Sequence, residues 1–279
     1  MTGRRILIAQ ISDLHIKPPG ELAYGRVDTA AALTRCIAQL NRFEPQPDLV
    51  VISGDLVDKP SPEAYDHLME LLAPLEIRCA AIPGNHDDRA MMQAVFFDQR
   101  FGRAIDVSNR AINFLDIEVV LIDSTVPGAD YGELDAATLA WLDTTLAASA
   151  TRPALIFLHH PPFATGIAHM DRQNLRNASD LAEILQRHRR ARLVAARHVH
   201  RAVLTTFAGA AATICPASNH AVALDLGAGM PPGFRVEPPA FHLHAWLPGD
   251  RFGSIVTHFV PIGEFDGPHP FFDGKGDLI

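Results

Sequence analysis

The 279-residue sequence has little cysteine, no long hydrophobic run and no excess of positive charge. The chain has three scattered cysteines, Cys36, Cys79 and Cys215. Three are too few for a disulfide scaffold, and an odd number would leave one of them unpaired. No apolar run approaches the roughly 20 residues that a bilayer-spanning helix needs, so we expect no membrane partner. The net charge of -8 argues against a protein that binds a nucleic acid duplex. Hydrophobic residues amount to 48%, which excludes a disordered chain and predicts a sizeable core.

The N-terminus lacks the pattern of a secretory signal. The apolar run from Ile6 to Ile11 is shorter than a signal-peptide core, and it leads directly into Ser12 and Asp13 rather than a cleavage site. We interpret this run as a buried first strand. A cytoplasmic location with reduced cysteines is therefore expected.

Short apolar runs alternate with segments of helical period, which predicts an α/β fold. The predicted helices span 27–43, 62–72, 88–97, 135–148 and 179–190. The predicted strands span 5–11, 48–53, 77–82, 112–114, 118–123, 154–158, 193–196, 202–207, 211–214, 241–246 and 254–260. We expect a single domain over residues 1–279, with 160–176 as a site-covering loop and about 209–279 as a strand-rich C-terminal elaboration. The proline-rich stretch 231–239 is predicted to be a surface loop.

Histidine is abundant, with 14 residues, and several histidines follow predicted strands together with Asp or Asn. Because the carboxyl ends of strands form the binding edge of an α/β sheet, five such loops would bring these side chains together. The candidate ligands are Asp13, His15, Asp55, Asn85, His159, His198 and His200. Seven donors exceed the needs of one ion, so the sequence predicts two divalent ions, with a carboxylate such as Asp55 between them.

Each piece of this pattern also has a purely structural explanation. Asp13 can bond to the backbone of a turn, and His198 and His200 can lie on one polar face of a strand. The metal prediction rests on the coincidence of all five loops. Nitrogen and oxygen donors without cysteine suit Mn, Fe, Zn or Co rather than a sulfur-rich structural zinc site.

The motifs DLH, GD, GNHD, HHPP and HVH, in this order, resemble those of the calcineurin-like metallophosphoesterase superfamily. The resemblance extends over about residues 5–208. It is strongest to bacterial class III cyclic nucleotide phosphodiesterases and glycerophosphodiesterases, which share ISDLH, VISGDLVD, PGNHD and LHHPP almost unchanged. This resemblance implies a four-layer αββα sandwich.

The resemblance also implies a role for each candidate residue. The first ion would be bound by Asp13, His15 and His200, the second by Asn85, His159 and His198, and Asp55 would bridge both. The bridging hydroxide of such a centre is expected to attack the phosphodiester in line. His86 and Asn85 would contact the phosphate, His86 would assist the leaving oxygen, and Asp87 would orient His86.

Arg197 departs from the family pattern, which has glycine before the His-x-His pair. In one alternative, Arg197 adopts an ordinary backbone conformation and both ligands are kept. In the other, it contacts the phosphate or weakens the second metal site through His198. His169 and His220 are further candidates for substrate contact.

The expected activity is metal-dependent hydrolysis of a small phosphodiester, either a cyclic nucleotide or a glycerophosphodiester. Three alternatives stay open: a phosphomonoesterase, a nuclease of the same superfamily, and a non-catalytic scaffold. Few basic residues near the motifs count against a monoesterase, the acidic balance counts against a nuclease, and the complete ligand set counts against a scaffold. The strands between 241 and 259 offer an edge for a homo-oligomer.

Overall fold

The computed structural model describes residues 4–96, 109–114, 116–148, 151–227, 231–249 and 253–278. Its helices are α1 (Thr29–Asn41), α2 (Pro62–Leu72), α3 (Arg89–Phe96), α4 (Ala136–Ala147), α5 (Ala168–Asp171) and α6 (Ala178–His188). Its strands are β1 (Ile6–Ile11), β2 (Leu49–Ser53), β3 (Cys79–Ile82), β4 (Arg110–Asn113), β5 (Glu118–Ile122), β6 (Ala154–Leu158), β7 (Ala191–Ala196), β8 (Val203–Phe207), β9 (Ala210–Ile214), β10 (Ala221–Val222), β11 (Phe234–Arg235), β12 (Ala240–Leu247) and β13 (Ser254–Pro261). The predicted third helix, 88–97, agrees with α3 except at its ends: Asp88 precedes the helix, and Phe97 lies outside the described residues.

The strands form two large sheets. The first has the order β13-β12-β1-β2-β3, in which β1, β2 and β3 are parallel and β12 and β13 are antiparallel additions. The second has the order β4-β5-β6-β7-β9-β8, with β5, β6, β7 and β9 parallel and one antiparallel strand at each edge. Strands β4 and β5 pair as an antiparallel hairpin, in agreement with the predicted strands 112–114 and 118–123.

The two sheets pack face to face through a buried apolar layer. Ile8 and Val51 of the first sheet belong to the same buried cluster as Leu121 and Phe157 of the second. Trp246 of β12 closes this layer near the start of β1, because it pairs with Ile6. Strands buried on both faces read as continuous apolar runs, which is the pattern that the sequence showed.

Helices cover the outer face of each sheet. Leu33 of α1, Leu68 of α2 and Met92 of α3 pack against the first sheet in a second apolar cluster. Leu142 of α4 and Leu181 of α6 pack in a third cluster against the second sheet. Three apolar layers between four layers of secondary structure make the αββα sandwich, and the predicted fold class is confirmed.

Side-chain caps explain where the main helices begin. Asp28, Ser61 and Asp135 each accept a hydrogen bond from a backbone amide in the first turn of α1, α2 and α4. Pro62 occupies the first turn of α2, where a missing amide hydrogen costs nothing. The predicted helix at 27–43 was therefore too long at its start, because Asp28 is the cap and not a helical residue.

The C-terminal part contributes to both sheets. Strand β9 pairs with β7 in the second sheet, and β12 pairs with β1 in the first. The predicted surface loop 231–239 needs correction, because Phe234–Arg235 form β11 and pair with β10. A two-residue strand is too short to leave a periodic signal. The site-covering loop 160–176 contains the short helix α5, and the single-domain organisation stays a prediction.

No helix within the described ranges is both long and apolar enough to span a bilayer.

Candidate metal centre

The polar side chains that follow β1, β2, β3, β6 and β7 meet at the carboxyl edge of the two sheets. The Asp55 carboxylate is the central group. Its Oδ2 lies 3.7 Å from Nε2 of His15 and 3.4 Å from Nε2 of His159. Asp55 thus faces a histidine from each of the two predicted ligand sets, as a bridging carboxylate must.

One group of ligand atoms surrounds the side of Asp55 that faces His15. Nε2 of His15 lies 3.2 Å from Nε2 of His200, and the latter lies 3.9 Å from Oδ1 of Asp13. The ligand atoms of these four residues are close enough to share one ion. Two carboxylates and two imidazoles offer the oxygen and nitrogen donors predicted for the first metal.

A second group surrounds the side that faces His159. Nε2 of His159 lies 3.2 Å from Oδ1 of Asn85 and 3.3 Å from Nδ1 of His198. His160 is adjacent: its Nδ1 lies 2.8 Å from Oγ of Ser124, and a ring nitrogen of His160 is also close enough to those of His159 and His198 to share an ion. The structure therefore brings Asn85, His159 and His198 together with Asp55, as the sequence predicted for the second metal.

Hydrogen bonds aim the lone pairs of both second-site histidines into the centre. Nδ1 of His159 lies 3.0 Å from the carbonyl oxygen of Ser53, and Nε2 of His198 lies 2.9 Å from Oε1 of Gln173. Because these oxygens only accept, each nitrogen carries the proton and leaves the other ring nitrogen free. Such outer partners fix the tautomer of a metal-binding histidine. Gln173 was missed as a site residue, although it lies in the predicted covering loop.

Five of the seven candidate ligands have a left-handed backbone conformation. The φ angles are 49° for Asp13, 46° for His15, 52° for Asp55, 73° for His198 and 57° for His200. This conformation is uncommon for residues other than glycine, and strained residues concentrate at functional sites. The sharp turn after each strand is what points these side chains inward.

Two glycines leave room for the ligands. A Cβ on Gly54 would overlap the His159 ring, and one on Gly84 would overlap the carboxylate of Asp55. Gly54 also has a φ of 108°, which side chains other than hydrogen rarely tolerate. Both positions therefore require glycine.

The charges of the centre are strongly coupled. Burial opposes ionisation of Asp55, but the neighbouring His159 and His86 hold the pKa of this carboxyl well below its usual value. Burial lowers the pKa of His159, yet the charge of Asp55 and their hydrogen bond raise it to about 9. Burial and the positive charge of His159 lower the pKa of His198 to about 3. The buried Asp55 carboxylate is therefore kept ionised by neighbouring positive charge, a role that a metal ion can take.

Buried ligand atoms without partners fit a metal better than a proton network. Oδ1 of Asp13, which faces Nε2 of His200, is buried without a hydrogen-bond partner among the described residues, whereas Oδ2 of Asp13 forms an ion pair with Arg197. An unsatisfied buried carboxylate oxygen is costly unless a cation or a donor reaches it. The donor set fits a pair of divalent ions.

His86 faces the centre, but Asp87 does not orient its ring as predicted. Nδ1 of His86 lies 2.8 Å from the carbonyl oxygen of Asp58, which takes the orienting role. Asp87 instead accepts hydrogen bonds from the amides of Gly84 and Leu56. Asp87 therefore holds the loop that carries Asn85 and His86. Burial, together with the charge of Asp55, raises the pKa of Asp87 to about 6.

A cavity of about 450 Å³ opens over the ligands. Four residues with a predicted substrate contact line it: Asn85, His86, His169 and His220. Tyr24, Phe234, Asp130 and Gln173 also line it and were not predicted. These four residues are isolated in the sequence and belong to no motif. Their position beside the cavity is therefore visible only in the folded chain.

Arg197 requires a correction. Its side chain is fully buried, and its Nη2 lies 2.6 Å from Oδ2 of Asp13. It therefore contacts a first-site residue and has no surface with which to reach a substrate. Its φ is outside the left-handed region, so the predicted ordinary backbone conformation agrees with the structure.

Comparison with known sequences gives the family. The sequence model of the calcineurin-like phosphoesterases matches residues 6–202, which include every candidate ligand. The chain belongs to the calcineurin-like phosphoesterase family. As a member of this family, it is a hydrolase with a metal-binding site.

Family relatives match most of the chain. A probable glycerophosphodiester phosphodiesterase, GpdQ, of Arcobacter nitrofigilis is 35% identical over 275 residues, which are 98% of this chain and 100% of the relative. The 3',5'-cyclic adenosine monophosphate phosphodiesterase CpdA of Escherichia coli is 31% identical over 196 residues, 70% of each chain. Among solved structures, a dimetal phosphatase from Danio rerio has a TM-score of 0.67 at 17% identity, covering 93% of this chain and 97% of its own. This last likeness supports the family fold.

The substitution Gly84→Ala tests whether metal binding requires the close approach of the Gly84 backbone to the Asp55 carboxylate. The new methyl group would displace the Asp55 carboxylate, so we expect the affinity for Mn²⁺ to fall at least about tenfold, equivalent to 1.4 kcal/mol. Isothermal titration calorimetry measures this. Gly274→Ala is the matched control, because a Cβ there meets nothing within 4 Å. Unchanged Mn²⁺ affinity in Gly84→Ala would show that Asp55 is not a ligand.

Proposed function

We propose that this protein is a dinuclear metal-dependent phosphodiesterase that hydrolyses a small phosphodiester. The observation that carries the proposal is Asp55, whose carboxylate lies between His15 and His159. The family match and the phosphodiesterase relatives support it. The cavity of about 450 Å³ suits a molecule of the size of a cyclic nucleotide or a glycerophosphodiester.

Two bound divalent ions supply Lewis-acid polarisation of the phosphate and an activated water at neutral pH. The chain contributes the geometry. Asp13, His15 and His200 would hold the first ion, and Asn85, His159 and His198 the second, with Asp55 shared. Mixed nitrogen and oxygen donors favour Mn, Fe, Zn or Co.

His86 is suited to protonate the leaving oxygen. The carbonyl of Asp58 accepts from its Nδ1, so a proton given to the leaving oxygen would come from Nε2. The ring packs edge-on against His15, with centroids 4.7 Å apart, which fixes it beside the first site. Such acid–base help contributes about 10²–10⁴-fold to the rate.

Removing the shared carboxylate tests the function. Asp55→Asn keeps the size of the side chain but loses its charge, so we expect kcat for bis-p-nitrophenyl phosphate to fall at least about 10³-fold as the metals are lost. Metal-stripped wild type should be equally inactive and should recover when Mn²⁺, Fe²⁺, Zn²⁺ or Co²⁺ is added. Asp130→Asn, which alters the cavity wall but no proposed ligand, is the control. Full activity of stripped protein would refute the proposal.

An aromatic wall on one side of the cavity suggests how the substrate is held. The ring centroids of Tyr24 and Phe234 lie 4.7 Å apart, and those of Tyr24 and His220 lie 5.2 Å apart. Tyr24 comes from the loop after β1 and Phe234 from the β10–β11 ribbon. We propose that this wall contacts the organic group of the diester, while the phosphate lies at the metals.

Phe234→Ala should then raise KM and leave kcat nearly unchanged. Loss of one aromatic contact costs about 0.5–1.5 kcal/mol, which corresponds to a two- to tenfold higher KM. The measurement is steady-state hydrolysis of cyclic AMP, 2′,3′-cyclic AMP and glycerophosphocholine by Phe234→Ala. Leu204→Ala, at an exposed position of β8, is the control. If KM is unchanged for all three substrates, the wall does not contact them.

We also propose that the C-terminal strands mediate a homo-oligomer. Strand β13 is an edge of the first sheet, and it exposes Phe259. The segment that follows exposes Phe265 and Phe271 at 67% and 78%. An edge strand beside exposed aromatic side chains is a surface that commonly pairs with another chain.

Sedimentation velocity tests this interface. We expect wild type to sediment as a dimer of the 30.4 kDa chain and Phe265→Asp/Phe271→Asp to sediment as a monomer, because buried charge opposes association. Leu204→Asp, at an exposed position of β8 on the other sheet, should remain dimeric. A monomeric wild type at tens of micromolar would contradict the prediction.

A further inference from the structure

Arg197 is a buried cation placed directly before two candidate ligands. It follows β7 and precedes His198, and its side chain has no exposed surface. Its amide donates to the carbonyl of His159 at 2.9 Å, which ties the end of β7 to the end of β6. A charged side chain is rarely buried so fully without a specific partner.

The partner of Arg197 is the Asp13 carboxylate. Nη2 of Arg197 lies 2.6 Å from Oδ2 of Asp13, while Nη1 donates to the backbone carbonyls of Cys215 and Pro216. These two carbonyls anchor the guanidinium. Oδ1 of Asp13 is on the opposite side, 3.9 Å from Nε2 of His200. Asp13 thus has one oxygen toward Arg197 and one toward the first metal site.

The fixed positive charge of Arg197 beside Asp13 opposes the binding of a second cation to the same carboxylate. The first site has two carboxylates, Asp13 and Asp55, and Arg197 cancels the charge of one of them. In a buried environment such a charge acts strongly, because little water screens it. The same charge stabilises the metal-free protein, since it neutralises Asp13 when no metal does.

We propose that Arg197 is a built-in competitor of the first metal ion: it lowers the affinity of the site formed by Asp13, His15 and His200, and it stabilises the metal-free chain. This inference rests on the proposed metal-dependent function. Arg197 is a positioning residue, because it acts through Asp13.

A purely structural role for Arg197 predicts a different outcome. If the guanidinium only fastens the backbone of Cys215 and Pro216, its loss would loosen the site and weaken metal binding. If it competes with the metal, its loss tightens metal binding while the metal-free protein becomes less stable. The sign of the change in affinity separates the two roles.

The experiment compares Arg197→Met, Arg197→Lys and wild type after chelator treatment, with Mn²⁺ titrated calorimetrically and Tm measured with and without Mn²⁺. For Arg197→Met we expect one of the two Mn²⁺ binding events, that of the site containing Asp13, to tighten at least about tenfold while the other stays unchanged. Its Tm should be lower than that of wild type without metal, and Mn²⁺ should raise its Tm by a larger increment. Arg197→Lys keeps the charge and should bind Mn²⁺ nearly as wild type does.

Arg190→Met is the matched control, because Arg190 is also buried and paired, with its Nη2 2.7 Å from Oε2 of Glu118. It should lower Tm without changing either Mn²⁺ affinity. Weaker or unchanged Mn²⁺ binding by Arg197→Met would overturn the inference and leave the proposed function intact. If neither wild type nor any variant binds Mn²⁺, the proposed function fails and the inference with it. Should Arg197→Met not fold, Arg197→Gly, the residue of the family pattern, provides the same comparison.

Discussion

The position of the Asp55 carboxylate between His15 and His159 is the constraint on which the rest of the site depends. A buried carboxylate is stable only where cations or donors surround it, and this one meets imidazoles from the loops after β1 and β6. Those strands lie in different sheets. Both imidazoles can therefore reach the carboxylate only if the two sheets pack in the correct register. The apolar layer between the sheets thus determines the geometry of the site at their edge.

The backbone turns at the strand ends are the local consequence of that constraint. Left-handed conformations at Asp13, His15, Asp55, His198 and His200 are each unfavourable for a side-chain-bearing residue. They persist because buried strands fix both the direction and the depth at which each loop begins. Each such residue costs about 1–3 kcal/mol, and the packing of the sandwich offsets this cost. Stability of the core and geometry of the site are thus two aspects of one structure.

Most of the fold and the grouping of the candidate ligands were predictable from the sequence, because both produce local signals. Buried parallel strands read as apolar runs, and candidate ligands follow directly after them, as Asn85 follows β3 and His159 follows β6. Residues that act across the fold left no such signal. Gln173 reaches His198 from another loop, and Asp58 orients His86 through its backbone carbonyl, which any residue could offer. Pairs of two-residue strands such as β10 and β11 are likewise set by tertiary packing.

Arg197 shows why a motif position cannot be read in isolation. The family pattern suggested a question of backbone freedom, since glycine was replaced by a large residue. The backbone is ordinary there, and the consequence is electrostatic instead, at Asp13, which is 184 residues earlier in the chain. A buried guanidinium needs a carboxylate, and at this edge of the sheets it pairs with Asp13, which is a candidate metal ligand. The substitution therefore changes the charge of the centre while leaving all seven candidate ligands in place, and a list of candidate ligands alone does not reveal it.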